Sequence, residues 1–253
     1  MPRQAPAGPP SGPAAQPLLS GAARPAAAGI AAACAAVTAL LGAWLGHGRR
    51  TDPVDTAVDA RVHASLAGHH KLLEALAWLG DLPAIAGMTA VLILACLLRR
   101  RYRGAALLAI SVPAAAVITE RLLKPLVGRT LLGFLSFPSG HATGTFALAT
   151  GISVLLAGAP GVPRAVRLAI AATAFAVAAA VAAAMIALGF HYVTDAVAGA
   201  AVGIGTVLAT ALVIDLIMLA RRRSGEPPRA VSATGRPPRP GPADARTQQA
   251  SDR

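Results

Sequence analysis

The chain has 253 residues, of which 55% are hydrophobic and 13% are charged, and its formal net charge is +12. Soluble domains are about 25% charged, so this composition argues against an ordinary soluble protein and indicates a membrane protein. Most of the positive charge is arginine in tails and short loops, where retention on the cytoplasmic side explains it without nucleic acid as a partner. Cys34 and Cys96 lie within apolar stretches, so neither a disulfide framework nor a zinc site is expected.

At the two ends of the chain, apolar residues do not recur at a helical or strand spacing. Residues 1–25 are rich in Pro, Ala and Gly, and residues 221–253 are rich in Pro and Arg, so both are predicted to be disordered cytoplasmic tails. Residues 26–220 are predicted to form one six-span domain. Each span has about the length that a bilayer requires; the stretches are 27–46, 82–98, 104–123, 142–158, 166–189 and 196–220.

Residues 52–80 are neither loop nor span. Apolar residues recur every four positions from Val54 to Leu66, with Asp55 and Asp59 on other faces. This pattern predicts one or two amphipathic helices at the outer interface, which either cap the bundle or line an entrance for lipid. The expected fold class is therefore all-α: an integral-membrane six-helix bundle with an interfacial amphipathic helical segment between spans one and two.

The distribution of arginines among the loops predicts the orientation of the chain in the membrane. Arginines cluster in the second loop, in the fourth loop and after the last span, which places these segments and both tails in the cytoplasm. The opposite loops, which contain residues 124–141 and His191, then face outward. The predicted location is a multi-pass protein of the cell membrane with its site on the extracytoplasmic face.

Two short strings carry candidate chemistry, PSGH at 138–141 and HYVTD at 191–195. The chain between them has two apolar stretches, so it crosses twice and returns to the same face. His141 and His191 can therefore meet at one membrane surface. Asp195 follows His191 by four residues, a helical spacing that lets the carboxylate orient the imidazole and stabilise its positive charge.

The residues near the two histidines favour the binding of an anion. Ser139 can cap a helix, and Gly140 leaves room for a ligand at the free N–H groups of that helix start. Lys124 and Arg129 add positive charge, with Arg121 as a weaker third cation. Lys124 can pair with Glu120 one turn earlier, while the Arg129 headgroup, followed by a loop, is expected to be free for a phosphate. No acidic cluster indicates a metal, so phosphoryl chemistry without a metal or other cofactor is predicted.

These residues resemble the type 2 phosphatidic acid phosphatase superfamily, which is related to vanadium-dependent haloperoxidases. That family has three ordered motifs: Lys-x6-Arg-Pro, Pro-Ser-Gly-His and Ser-Arg-x5-His-x3-Asp. The second matches completely at 138–141, and the third keeps His191 and Asp195. The resemblance covers about residues 50–220.

The resemblance implies a metal-independent mechanism with a phosphohistidine intermediate. His191 would attack phosphorus, Asp195 would orient it, and His141 would protonate the leaving oxygen. The phosphoryl oxygens would be held by the remaining site residues, namely Lys124, Arg129, Ser139 and Gly140.

Four positions, in the first and third motifs, depart from the family pattern. Leu131 and Leu132 stand where the first motif has Arg-Pro, and Met185 stands where the third has arginine, with Ala184 in place of its serine. Arg129 is the residue that can compensate.

The predicted function is hydrolysis of a lipid phosphate in the membrane. Substrates compatible with the site are phosphatidic acid, phosphatidylglycerol phosphate and a polyprenyl phosphate or diphosphate. The alternative is a catalytically weak or silent relative that binds a lipid phosphate or a membrane partner.

Overall fold

The computed structural model describes residues 17–46, 52–159 and 161–224, and these residues are mostly helical. A π-helical segment, Ile118–Leu123, joins the fifth and sixth helices, and a short antiparallel hairpin precedes the seventh. The helices are α1 (Ala23–Leu45), α2 (Pro53–Leu66), α3 (His70–Gly80), α4 (Leu82–Leu98), α5 (Tyr102–Val117), α6 (Lys124–Val127), α7 (Gly140–Ala157), α8 (Arg164–Ala187) and α9 (Val193–Ser224), and the strands are β1 (Thr130–Leu131) and β2 (Phe134–Leu135).

The helices confirm the predicted membrane fold. Within the described ranges, five helical stretches are long and apolar enough to cross a bilayer, and α3 with α4, bent by 55°, qualifies as a sixth. The predicted second span, 82–98, coincides with α4. Helix α4 reaches the length of a span only together with α3.

The N-terminal boundary differs from the prediction. Leu18 and Leu19 are buried, and their N–H groups donate to the Asp215 carboxylate at 2.9 and 3.0 Å. Helix α1 begins at Ala23, so the tail boundary predicted at residue 25 is too late. The rest of the predicted tails, residues 1–16 and 225–253, lies outside the described residues.

Small residues bring α7 and α9 into backbone contact. A Cβ atom added to Gly199 would collide with the Ser139 carbonyl oxygen, and one added to Gly203 would lie 2.5 Å from the Thr143 carbonyl oxygen. Side chains at these positions would force the helices apart. The two glycines therefore let the PSGH segment lie directly against the start of α9, where Asp195 lies.

Helix α2 packs through a face that its apolar pattern did not predict. Asp55 is its one buried residue, while Val54 is 53% exposed. Val62 does pack against the core formed by α7, α8 and α9. The prediction that Asp55 lies away from the packed face is wrong, because buried polar groups of other segments bind this carboxylate.

The loop between α6 and α7 turns back on itself. Gly128 ends α6 with a left-handed backbone (φ 66°), and the hairpin reverses at Leu132 and Gly133 with φ of 50° and 84°. The Ser136 N–H then donates to the Arg129 carbonyl oxygen at 2.9 Å. This closure directs Arg129 inward and leaves Leu132, at the tip, exposed.

Candidate active site

The two histidines meet as the double crossing predicted. His141 lies in the first turn of α7, His191 lies in the turn between α8 and α9, and their ring centroids are 6.4 Å apart. Helix α8 is closed by Gly189, which has a left-handed backbone (φ 77°), and by the Phe190 N–H, which donates to the Met185 carbonyl oxygen at 3.0 Å. This compact turn holds His191 beside the α7 start.

Asp195 is fully buried and joins the two motifs. Its Oδ2 atom lies 3.6 Å from Nδ1 of His191 and accepts the Tyr192 N–H at 3.1 Å. Its backbone carbonyl oxygen accepts the Ser139 N–H at 2.9 Å. The carboxylate therefore faces one ring nitrogen of His191 and leaves the other, Nε2, for a reacting group.

Arg129 is not the free headgroup that the sequence predicted. Its side chain is only 2% exposed, and it donates to Asp195 Oδ1 at 2.7 Å and to Asp55 Oδ2 at 2.5 Å. The guanidinium carbon also lies 4.1 Å from the Tyr192 ring centroid. Burial alone would lower the pKa of Arg129, but the two carboxylates raise it above its ordinary value. The expectation of an accessible phosphate ligand fails because the hairpin turns this side chain inward.

Asp55 belongs to the same network and was missed as a site residue. Its Oδ1 accepts the Thr194 N–H at 3.0 Å, and its Oδ2 accepts the Thr194 hydroxyl at 2.9 Å. The Thr194 hydroxyl oxygen in turn accepts a hydrogen bond from Arg129 at 2.7 Å. These partners are 74 and 139 residues away in the chain, so no local pattern identifies them.

Asp59 lies one turn further along α2. Its carboxylate accepts the Val193 N–H at 3.2 Å, so two acids of α2 cap the first N–H groups of α9. Burial, and then the charge of Asp55, raise the pKa of Asp59 to about 6.

The cationic side of the site is formed by Lys124. Its ammonium contacts both carboxylate oxygens of Glu120 at 2.8 Å, which confirms the predicted pairing one turn apart. Glu120 also lies over Gly140, since an added Cβ there would be 2.7 Å from Glu120 Oε1. Lys124 and Glu120 therefore lie beside the α7 start, whereas Arg121 is exposed.

His141 has an acidic partner that sequence reasoning did not find. Its Nε2 lies 3.0 Å from Asp81 Oδ1, at the junction of α3 and α4. Gly80 makes this approach possible, because an added Cβ would lie 2.7 Å from the His141 ring. Ser139 is buried and caps α7 as predicted, with the Ala142 N–H 3.4 Å from its hydroxyl oxygen.

This arrangement suits a phosphoryl group better than a metal. Among the described residues, no group of three His, Cys, Asp or Glu side chains is placed to hold a metal ion. Two histidines, each with a carboxylate partner, flank a helix start whose first N–H groups lack intrahelical acceptors. Such a site can supply a nucleophile, an acid and an anion cradle.

The family model of the PAP2 superfamily matches residues 123–218, a range that contains both motif strings. Among solved structures, the chain is similar to the transmembrane PAP2-type phosphatidylglycerolphosphate phosphatase from Bacillus subtilis, with a TM-score of 0.58 and 17% sequence identity. The match covers 79% of this chain and 98% of that one. No curated protein matches the sequence. The family model supports the predicted family over residues 123–218, and the structural similarity confirms the predicted membrane fold.

Proposed function

We propose that this chain, a PAP2 superfamily member by its residues 123–218, is a membrane lipid phosphatase working through a phosphohistidine at His191. The observation that carries the proposal is the pair of facing histidines, 6.4 Å apart, with a buried carboxylate behind His191 and the start of α7, with Lys124 nearby, beside His141. The substrate class is a lipid phosphomonoester or diphosphate, such as phosphatidic acid, phosphatidylglycerol phosphate or a polyprenyl phosphate.

In the first step Nε2 of His191 attacks phosphorus and the bond from phosphorus to the lipid oxygen breaks. The electron pair stays on that oxygen, which takes a proton from His141. Asp195 stabilises the positive charge that develops on the His191 ring, because its Oδ2 atom faces Nδ1 at 3.6 Å. Asp81 Oδ1, 3.0 Å from Nε2 of His141, fixes the orientation of that ring.

In the second step water attacks the phosphohistidine. His141, now neutral, accepts the proton of that water, the P–N bond breaks, and inorganic phosphate leaves. During both steps Lys124 and the N–H groups that begin at Gly140 stabilise the phosphoryl oxygens. Ser139 shapes this cradle through its cap on α7. Since Arg129 is held by two buried carboxylates, the cationic side chain beside this cradle is Lys124, whose ammonium is shared with Glu120.

The proposal is tested by phosphate release from a panel of these lipid phosphates, with purified protein and a chelator in place of added metal. Turnover that is lost in His191→Ala supports it. A protein that binds the lipids but releases no phosphate from any of them would instead be the silent relative.

We also propose that the site faces outward, on the evidence of the arginine-rich opposite loops. In a background lacking Cys34 and Cys96, cysteines at the exposed positions Thr130 and Leu132 should react with an impermeant thiol reagent in intact cells. A cysteine at Tyr102 should not. Labelling at Tyr102 alone would place the site in the cytoplasm.

A further inference from the structure

We infer that Asp55 is a positioning residue of this site, acting through Arg129 on Asp195 and thereby on His191. The inference rests on the proposed phosphatase function and assigns a role to helix α2. Asp55 is fully buried, and it is the one residue of α2 that is buried. Helix α2 is thus docked onto the site by this carboxylate together with Val62.

The contacts form a closed ring of three side chains. Asp55 accepts from Arg129 and from the Thr194 hydroxyl, and Arg129 donates to that same hydroxyl oxygen. The guanidinium nitrogen that donates to Thr194, Nη1, also donates to Asp195 Oδ1, at 2.7 Å. With its Oδ1 atom fixed in this way, Asp195 turns Oδ2 toward the His191 ring.

The charges explain why a second carboxylate is needed. Arg129 and Asp195 alone would form a neutral buried pair, which gives little stabilisation to a positive charge on His191. Asp55 neutralises the guanidinium, so the three groups together carry one negative charge. All three are buried, where electrostatic interactions are stronger than in water. The remaining negative charge faces the ring that becomes positive when it attacks phosphorus.

A purely structural role is the competing explanation, because Asp55 also caps the Thr194 N–H. Asp59 provides the matched control. It lies on the same helix and caps the neighbouring Val193 N–H, yet no hydrogen bond or ion pair joins it to Arg129 among the described contacts. If only the loss of a helix cap mattered, substitution of either aspartate should lower kcat to a similar degree. If the role of Asp55 runs through Arg129, only substitution of Asp55 should do so.

The experiment compares Asp55→Asn, Asp55→Glu and Asp59→Asn in steady-state kinetics on a short-chain lipid phosphate. Asp55→Asn should lower kcat by roughly 10–100-fold, the scale for groups that orient a catalytic residue, with KM little changed. Asp55→Glu keeps the charge and should retain more of kcat, and Asp59→Asn should change kcat by less than about threefold. In an Arg129→Gln background, Asp55→Asn should add no further loss, because the link between Asp55 and Asp195 is already gone.

A second readout does not depend on turnover. The reaction of His191 with diethyl pyrocarbonate, located by peptide mass spectrometry, should be faster in Asp55→Asn by roughly threefold or more at slightly acid pH, because an uncompensated guanidinium disfavours the unreactive imidazolium. The rate at which His141 reacts with the same reagent should be nearly equal in Asp55→Asn and in the wild type.

The outcomes separate the two proposals. If the wild type turns over but Asp55→Asn matches Asp59→Asn in kcat, the role of Asp55 is overturned and the phosphatase stands. The role of Asp55 would also be overturned if Asp55→Asn lowered kcat in the Arg129→Gln background by the same factor as in the wild-type background. If the wild type releases no phosphate, the proposed function fails, and an unchanged His191 modification rate would then overturn the role of Asp55 as well. Should Asp55→Asn not fold, Asp55→Glu keeps the test: a kcat well above that of Arg129→Gln supports the role of the charge, and a kcat as low as that of Arg129→Gln overturns it.

Discussion

The two halves of the site are built differently. Around His191, the supporting groups Asp195, Arg129 and Asp55 are all buried, and Arg129 donates hydrogen bonds to both carboxylates. Around His141, the supporting carboxylates are about half exposed, Asp81 at 49% and Glu120 at 48%. Fixed charges in a buried network act more strongly than exposed pairs, which water and salt screen. We therefore expect substitutions in the buried half to cost more than those in the exposed half.

The largest effect should follow removal of the nucleophile. His191→Ala should lower kcat by at least about 10⁴-fold, because no other group can form the phosphoenzyme. Lipid binding should persist, since Lys124 and the α7 start are unchanged. Turnover close to wild type would exclude His191 as the nucleophile.

Removal of the acid should cost less and should depend on the leaving group. His141→Ala should lower kcat by about 10²–10⁴-fold on a lipid phosphate, whose alkoxide needs a proton. On p-nitrophenyl phosphate the loss should be much smaller, because its leaving group, p-nitrophenolate, departs without a proton. Equal losses on both substrates would contradict an acid role for His141.

The exposed partner of His141 should matter less than the buried partner of His191. Asp81→Asn should lower kcat by about tenfold, at the lower end for a group that orients a catalytic histidine. Its effect on p-nitrophenyl phosphate should again be smaller, because the acid is less needed there. A loss greater than that of Asp55→Asn would reverse the order of the two halves.

A smaller effect is expected at Glu120, which occupies the ammonium of Lys124. Glu120→Gln should lower KM by up to about fivefold, the range set by an exposed ion pair, because Lys124 becomes free for phosphate. The control is Glu74→Gln, which removes an exposed acid of α3 that pairs with His70. A raised KM in Glu120→Gln would mean that Glu120 organises the cradle rather than competing for it.

The smallest effect concerns stability and the pKa of Asp59, which is raised to about 6 from a model-compound value of 3.8. The stability that protonated Asp59 contributes is complete below pH 3.8 and is lost as the pH rises through about 6. Asp59→Asn should therefore have a higher thermal midpoint than wild type above pH 6, and the two should converge near pH 4. A difference that is the same at every pH would contradict this.

Much of this molecule follows from local patterns in the sequence. The spans are visible as apolar stretches, and the double crossing between PSGH and HYVTD brings His141 and His191 together. The pairing of Glu120 with Lys124 also follows from helical spacing, and the structure has it at 2.8 Å. Each of these features depends on residues that are close in the sequence, or on the number of membrane crossings between two motifs.

The buried half of the site could not be predicted in this way. The apolar period of α2 favoured its valines as the packed face, yet the partners of Asp55 come from the loop after α6 and from the start of α9. Arg129 likewise looked free because the residues after it form a loop, and the hairpin that turns it inward is a tertiary feature. Ion pairs between distant segments leave no periodic signal.

The most direct test is to trap and locate the phosphoenzyme. The wild-type protein would be mixed with a ³²P-labelled lipid phosphate, quenched within milliseconds, digested under alkaline conditions that preserve phosphohistidine, and its peptides analysed by mass. We expect a labelled peptide phosphorylated at His191, absent in His191→Ala and more persistent in His141→Ala, where the attack of water is slowed. Label at another residue, or turnover with no phosphoenzyme in either protein, would contradict it.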